Sequence, residues 1–257
     1  MSSEKKTFNF LERYQSLLLK TIPQLHAIHF DEALPVGLLA YSEHLHTDYL
    51  QHAYAIGAFP WSHPDQAVVL WWYPPQRMVL PVANFHISHS LKKTLKKIIQ
   101  QGSQSPIQVT TDRCFHNVLR CCAQLRQEEG TWITPEFAQC YGDLYRMGLA
   151  HSIEVWQDEH LIGGLYGVCI GKMFYGESMF SIQSNASKIA LAGLVSLLRD
   201  KGIDLIDCQQ DTAHLRRMGA ATIDAQHFFA ALQARVTQSS VSWNPETITL
   251  HNLFAAT

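Results

Sequence analysis

Between His151 and Met179 the chain carries three largely apolar runs, His151–Trp156, Leu161–Ile170 and Met173–Met179, separated only by Asp158-Glu159 and Gly171-Lys172. Such runs read as strands, and polar or Gly-containing connections this short favour antiparallel hairpins. A meander of three strands is therefore the first condition that any fold of this chain must meet. Directly after it, Ile189, Ala190, Leu194, Leu197 and Leu198 recur at helical spacing across Asn185–Arg199, and the pattern ends around Gly202. Ile203–Gln209 reads as another strand, and Ala225–Val236 as an amphipathic helix.

Meander, helix, strand is the central pattern of the acyltransferase (GNAT) fold, although periodicity alone leaves it one of several α+β arrangements. The stretch before the meander is mixed. Phe10, Leu11, Tyr14, Leu18 and Ile22 predict a helix over 7–22 that Pro23 stops. A helix is expected from about Asp48 to Ile56, a strand over Val68–Trp72, and helices over 88–101 and 112–126. Thr134-Pro135 opens a helix with Thr as N-cap and Pro at the first helical position, and Gly148 closes it. The expected organisation is a small N-terminal domain over 1–80, including an extension helix, and a GNAT-like catalytic domain over 81–257, its mostly antiparallel sheet flanked by helices.

Of 257 residues, 47% are apolar and 16% charged, which allows a sizeable core and argues against disorder. A net charge of -2 means that any nucleic acid must be met by a local basic patch. No apolar run is long enough to span a bilayer, and the polar start, with Glu12 and Arg13 soon after, predicts no signal peptide. Cys114, Cys121, Cys122, Cys140, Cys169 and Cys208 form no C-x-x-C pair and are expected to be free thiols of a cytoplasmic protein. His44-x-His46 lacks the partners of a zinc site, so no metal is expected.

Six segments carry a more specific signal. They are Tyr54–Trp61 (YAIGAFPW), Leu70-Trp71-Trp72, Glu129–Thr134 (EGTWIT), Ala150–Trp156 (AHSIEVW), Gly176–Ser181 (GESMFS) and Leu205–Gln209 (LIDCQ). Together, and in this order, they resemble the bacterial leucyl/phenylalanyl-tRNA–protein transferases from about Leu34 to Trp243. The chain departs from the family pattern at Ala40-Tyr41-Ser42-Glu43, where Gly-Gly-Asp is common, at Tyr73, and at Arg217. The resemblance implies transfer of Leu or Phe from aminoacyl-tRNA to proteins with N-terminal Lys or Arg, which marks them for degradation. It also implies no metal or dissociable cofactor, and a monomer.

Residue by residue, the resemblance puts Asp207 and Gln209 at the reaction centre. Two apart on a strand, they are expected to share a face. Gln209 would orient the attacking amine, while Asp207 fixes Gln209 and stabilises the developing positive charge. Glu177, on the same face as Tyr175, would meet the cationic acceptor residue; Glu154 is a weaker candidate. Trp61 and Trp132 are the expected stacking partners of the tRNA 3′-adenosine, with Tyr54 and Tyr141 beside them. Leu165 and Ile206 should line the donor side-chain pocket. Lys92, Lys93, Lys96 and Lys97 share a helical face with His89 one turn earlier, and are expected to contact tRNA phosphates.

Two other readings compete. One is a GNAT enzyme using acyl-CoA, but Ser181–Lys188 lacks the Gly-rich turn that cradles its pyrophosphate. The other is a non-catalytic tRNA-binding protein, which leaves Asp207, Gln209 and Glu177 without a task.

Overall fold

A computed structural model describes residues 15–63, 66–125 and 132–254. The first helix, α1 (Ile22–Ala27), begins where the pattern predicted an end: Thr21 is its N-cap and Pro23 lies in its first turn. Proline fits there because the N–H it lacks has no intrahelical partner in a first turn. Gln15–Leu17 is a single 3-10 turn, and Phe10, Leu11 and Tyr14 of the expected helix lie outside the described residues.

A small antiparallel sheet follows, made of β1 (Leu38–Ser42), β2 (Phe59–Pro60) and β3 (Val69–Trp72) in the order β1-β3-β2. Helix α2 (Thr47–Ile56) joins β1 to β2 and is closed by Gly57 in the left-handed region, at φ 84°. The chain then enters an eight-stranded sheet through β4 (Gln76–Pro81). The expected domain boundary after residue 80 therefore falls inside a strand of the large sheet. Next come α3 (His89–Gln101), β5 (Ile107–Thr111), α4 (Phe115–Gln124) and α5 (Pro135–Arg146). In α5 the Thr134 hydroxyl accepts from the Phe137 N–H at 3.4 Å, as its capping role requires. The predicted meander is β6 (Ala150–Gln157), β7 (His160–Ile170) and β8 (Met173–Ser181). It leads into α6 (Ala186–Asp200), β9 (Leu205–Gln209), α7 (Ala213–Arg217), β10 (Ala221–Asp224), α8 (Ala225–Val236) and β11 (Glu246–Thr247).

The large sheet runs β10-β4-β9-β8-β7-β6-β5-β11, and every neighbouring pair is antiparallel except β8 and β9. Those two pair in parallel through only Phe174↔Ile206 and Tyr175↔Asp207. Both strands then run on, β8 to Ser181 and β9 to Gln209, without pairing to each other. One face of the sheet packs on α6, which buries Leu191 and Val195 as well as the predicted stripe. It does so because Ile248, Leu250 and Leu253 belong to the same apolar cluster and the C-terminal turn covers the helix. The opposite face packs against α4, α5, α8 and the small sheet, burying Tyr54, Trp71, Tyr141, Tyr166 and Phe228 together.

Gly57 sits where these layers meet. A Cβ there would lie 2.7 Å from Leu232 Cδ2 and 3.0 Å from rings of Phe228 and Tyr73. Gly57→Ala adds left-handed strain to this overpacking and is expected to cost about 2–3 kcal/mol, read from the urea midpoint. A shift below about 0.5 kcal/mol would show that the packing against α8 yields freely.

Candidate functional site

Where β8 and β9 part, a cavity of about 250 Å³ opens between them. Glu177, Ser178 and Met179 line it from β8, and Ile206, Cys208 and Gln209 from β9. Leu165 from β7 and Leu191 and Leu194 from α6 make an apolar wall, and Trp61 and Trp132 contribute indoles. For scale, a dry apolar cavity of about 150 Å³ accepts a benzene ring. The space therefore fits one phenyl or isobutyl side chain with its main-chain atoms.

Asp207 does not line this cavity. A bulge between β4 and β9 sets Met78 opposite Gln209 and Val79 opposite Asp207, leaving Cys208 unopposed. Ile206 and Cys208 face the cavity, and Asp207 points into the opposite layer. There the Arg77 guanidinium forks onto its carboxylate, Nε to Oδ1 at 2.8 Å and Nη2 to Oδ2 at 2.6 Å. Nη2 also donates to the Gly57 carbonyl at 2.9 Å, and the Phe59 and Phe228 rings lie 4.5 and 4.4 Å from the guanidinium carbon. Both charged side chains are 0% exposed. Bidentate geometry and two aromatic faces are what make such a desolvated pair tolerable.

The expectation that Asp207 and Gln209 share a face is thus corrected. Gln209 returns to the cavity side because its φ is +61°, in the left-handed region. That conformation costs a non-glycine residue about 1–3 kcal/mol. Part of the cost is offset by Asp207 Oδ1, which accepts the Gln209 backbone N–H at 2.8 Å. Asp207 thus bonds the Gln209 backbone, but its own charge is paired with Arg77, so it is not placed to stabilise a charge in the cavity. Arg77 was missed by the sequence reading, although it is the only Asp, Glu, Lys or Arg between Asp65 and Lys92. A lone charge in an apolar strand was the available signal.

Glu177 is the hub of the cavity. Its Oε1 accepts from Gln209 Nε2 at 2.7 Å and its Oε2 from the Tyr141 hydroxyl at 2.8 Å. Tyr141 and Tyr54 share a hydroxyl–hydroxyl hydrogen bond of 2.7 Å behind it. Burial raises the Glu177 pKa from its ordinary 4.5 to about 7, against the lowering effect of these hydrogen bonds and with a smaller push from Asp207. Tyr54 and Tyr141 are fully buried, so neither ring offers a face to a base; they hold Glu177 instead of flanking an adenosine. Glu154 is also fully buried and lies off the cavity, bound by Thr110 and by the Ser152 hydroxyl at 2.6 Å.

Leu165 and Ile206 line the cavity, and so do Trp61, 40% exposed, and the half-buried Trp132. Glu129, Gly130 and Thr131, which precede Trp132 in its motif, lie outside the described residues. Lys92, Lys93, Lys96, Lys97 and His89 are all exposed on α3, while Leu91 and Leu95 bury its other face. Sequence reasoning also missed His214, a cavity residue whose buried Nε2 has no partner among the described residues. Burial, with Lys188 and Arg217 nearby, lowers its pKa. Among the described residues no three His, Cys, Asp or Glu group as a metal site would.

A sequence model of the leucyl/phenylalanyl-tRNA protein transferases matches residues 79–233, and a model of their N-terminal domain matches residues 43–75. The leucyl/phenylalanyl-tRNA–protein transferase of Burkholderia ambifaria strain MC40-6 is 46% identical over 209 residues, 80% of this chain and 81% of that protein. The transferase of the same name from Bordetella avium strain 197N is 46% identical over 212 residues, 81% of this chain and 84% of its own. The crystal structure of FemX superposes with a TM-score of only 0.40 at 11% identity, over 75% of this chain and 73% of that one.

Since the folded-state pKa of Glu177 lies above its ordinary value, the stability it contributes is full below about pH 4.5 and is lost as the pH rises through about 7. Urea unfolding near pH 5 and near pH 8 is expected to show Glu177→Gln gaining on the unsubstituted protein at the higher pH. The same pH dependence in both would mean that Glu177 titrates as an ordinary carboxylate.

Proposed function

Because the chain belongs to the leucyl/phenylalanyl-tRNA–protein transferase family, we propose that it moves Leu or Phe from aminoacyl-tRNA to the α-amino group of proteins beginning with Lys or Arg, marking them for degradation. The observation that carries the site-level reading is the composition of one cavity: an apolar wall, two indoles, and the Glu177–Gln209 pair at the parting of β8 and β9. No described helix is long and apolar enough to cross a membrane. Charged tRNA and nascent or cleaved proteins meet in the cytoplasm, where we expect the enzyme to act, as a monomer. We read residues through Pro75 as the small N-terminal domain and the large sheet with its helices as GNAT-like, the meander–helix–strand order supporting that assignment.

On this reading the Leu or Phe side chain of the donor enters the wall formed by Leu165, Ile206 and the α6 leucines. Trp61 and Trp132 stack the 3′-adenosine, at about 1–3 kcal/mol per base. The ester is already activated, and an α-amine of pKa about 7.7–8.0 is partly neutral near pH 7, so alignment supplies most of the rate. Gln209 Nε2 is committed to Glu177, which leaves the amide oxygen to accept a hydrogen bond from the amine. The amine nitrogen bonds to the ester carbonyl carbon, the ribose 3′-oxygen leaves, and the proton shed by nitrogen ends on that oxygen. Glu177, once ionised, holds the positive charge of the acceptor residue. The acyl-CoA alternative lacks the Gly-rich turn that would cradle its pyrophosphate, since Ser181–Lys188 carries no glycine.

The direct test is purified protein with radiolabelled Leu-tRNA and two peptides, starting with Lys and with Ala. Label should reach the Lys peptide alone, and no transfer at all from an intact donor would overturn the assignment. Acceptor affinity should rise with pH through about 7 as Glu177 ionises. Glu177→Gln should remove that limb and cut the Lys-over-Ala preference at least about tenfold, one lost charge-assisted bond. Replacing Lys92, Lys93, Lys96 and Lys97 with Ala should weaken tRNA binding and flatten its log–log salt slope by about 1 for each phosphate left without a lysine. An unchanged slope would place the acceptor stem elsewhere.

A further inference from the structure

Asp207 and Arg77 are both removed from the cavity and from solvent, so neither touches a substrate in it. Yet Asp207 stands one hydrogen bond away from a residue that lines the cavity, and Arg77 stands two away. The carboxylate oxygen that accepts Arg77 Nε also accepts the backbone N–H of Gln209. Gln209 is the only residue of β9 with a positive φ, and that φ turns its amide onto Glu177 at 2.7 Å. At the other end Arg77 is fixed by the Gly57 carbonyl and held between Phe59 and Phe228, so the fork cannot swing away. A continuous set of bonds thus runs from Gly57, through Arg77 and Asp207, to Gln209 and Glu177. Stability alone does not explain it, since apolar residues of similar volume commonly replace a buried ion pair without loss.

We propose that Arg77 is a positioning residue: its buried fork fixes Asp207, which holds Gln209 in the left-handed conformation that aims its side chain into the cavity. The inference rests on the aminoacyl transfer proposed above. Without the acceptor at Asp207, the Gln209 N–H loses its partner and the residue relaxes to extended backbone. Its amide then leaves Glu177, and the attacking amine loses its alignment, while the apolar wall and both indoles stay in place. The deficit therefore belongs to turnover and leaves donor binding intact.

Two variants test this against the unsubstituted chain, with Leu-tRNA as donor and a Lys-start peptide as acceptor. Arg77→Lys keeps the charge and loses the fork. The pair Arg77→Met/Asp207→Leu removes both charges at similar volume. Both are expected to melt within a few degrees of the parent, with kcat lower by about 100-fold and KM for charged tRNA within about threefold. A folded double variant with kcat within about threefold of the parent overturns the proposal. So does a loss confined to KM, and so does failure of both variants to fold, which would make the pair a stability element. Absence of transfer by the unsubstituted chain would instead sink the proposed function.

Discussion

The parting of β8 and β9 is the constraint on which the rest of the site depends. Strands that stay paired leave no gap between them, with each N–H and C=O satisfied by a neighbour. Here the single parallel pair lasts two residues and then opens, so two strand ends line a cavity instead of each other. Parallel pairing follows from topology: β9 returns after the long crossover through α6 and not through a hairpin. The same helix that makes the crossover supplies the apolar wall, through Leu191 and Leu194. Chain order, strand direction and cavity lining are one geometrical fact.

Opening a sheet leaves strand ends that must be held. On β8 this falls to the buried tyrosines: Tyr175 donates to the Tyr54 carbonyl at 2.6 Å, and Tyr141 to Glu177. On β9 it falls to the Arg77 fork, whose geometry a lysine cannot copy. Both sets of bonds end on α2 or on Gly57 just after it, so the small sheet and its helix act as the backing of the cavity. That explains why β4, which carries Arg77, lies beside β9 in the large sheet even though its sequence is continuous with the small one.

How much of this was legible depended on whether the deciding physics was local. The meander, α6 and the capped start of α5 were readable because apolar spacing, short turns and Thr134-Pro135 act within a few residues. Leu165, Ile206, Trp61 and Trp132 came from resemblance, and the fold brings them to one cavity. The errors arose where a distant partner decides. Pro23 reads alike as a stop or as a first-turn residue. Period-two alternation predicted one face for Asp207 and Gln209, whereas a bulge and one positive φ separate them. Tyr54 and Tyr141 resembled stacking residues, and only packing shows that their hydroxyls are used and their faces are not.

On the proposed reading, the environment of Glu177 connects this architecture to acceptor selectivity. A carboxylate in open solvent attracts any cation weakly, since water screens both partners. Burial makes its charge costly, and its pKa climbs to about 7 despite the hydrogen bonds it accepts from Tyr141 and Gln209. The cost is recovered when a cation of the right reach arrives to replace the lost water. On the proposed reading, a basic first residue lets Glu177 ionise, and a neutral one leaves it favouring the proton. Selectivity of this kind needs no large contact area. It needs one anion kept poorly solvated by a rigid frame, and the two strands that diverge around the cavity provide that frame.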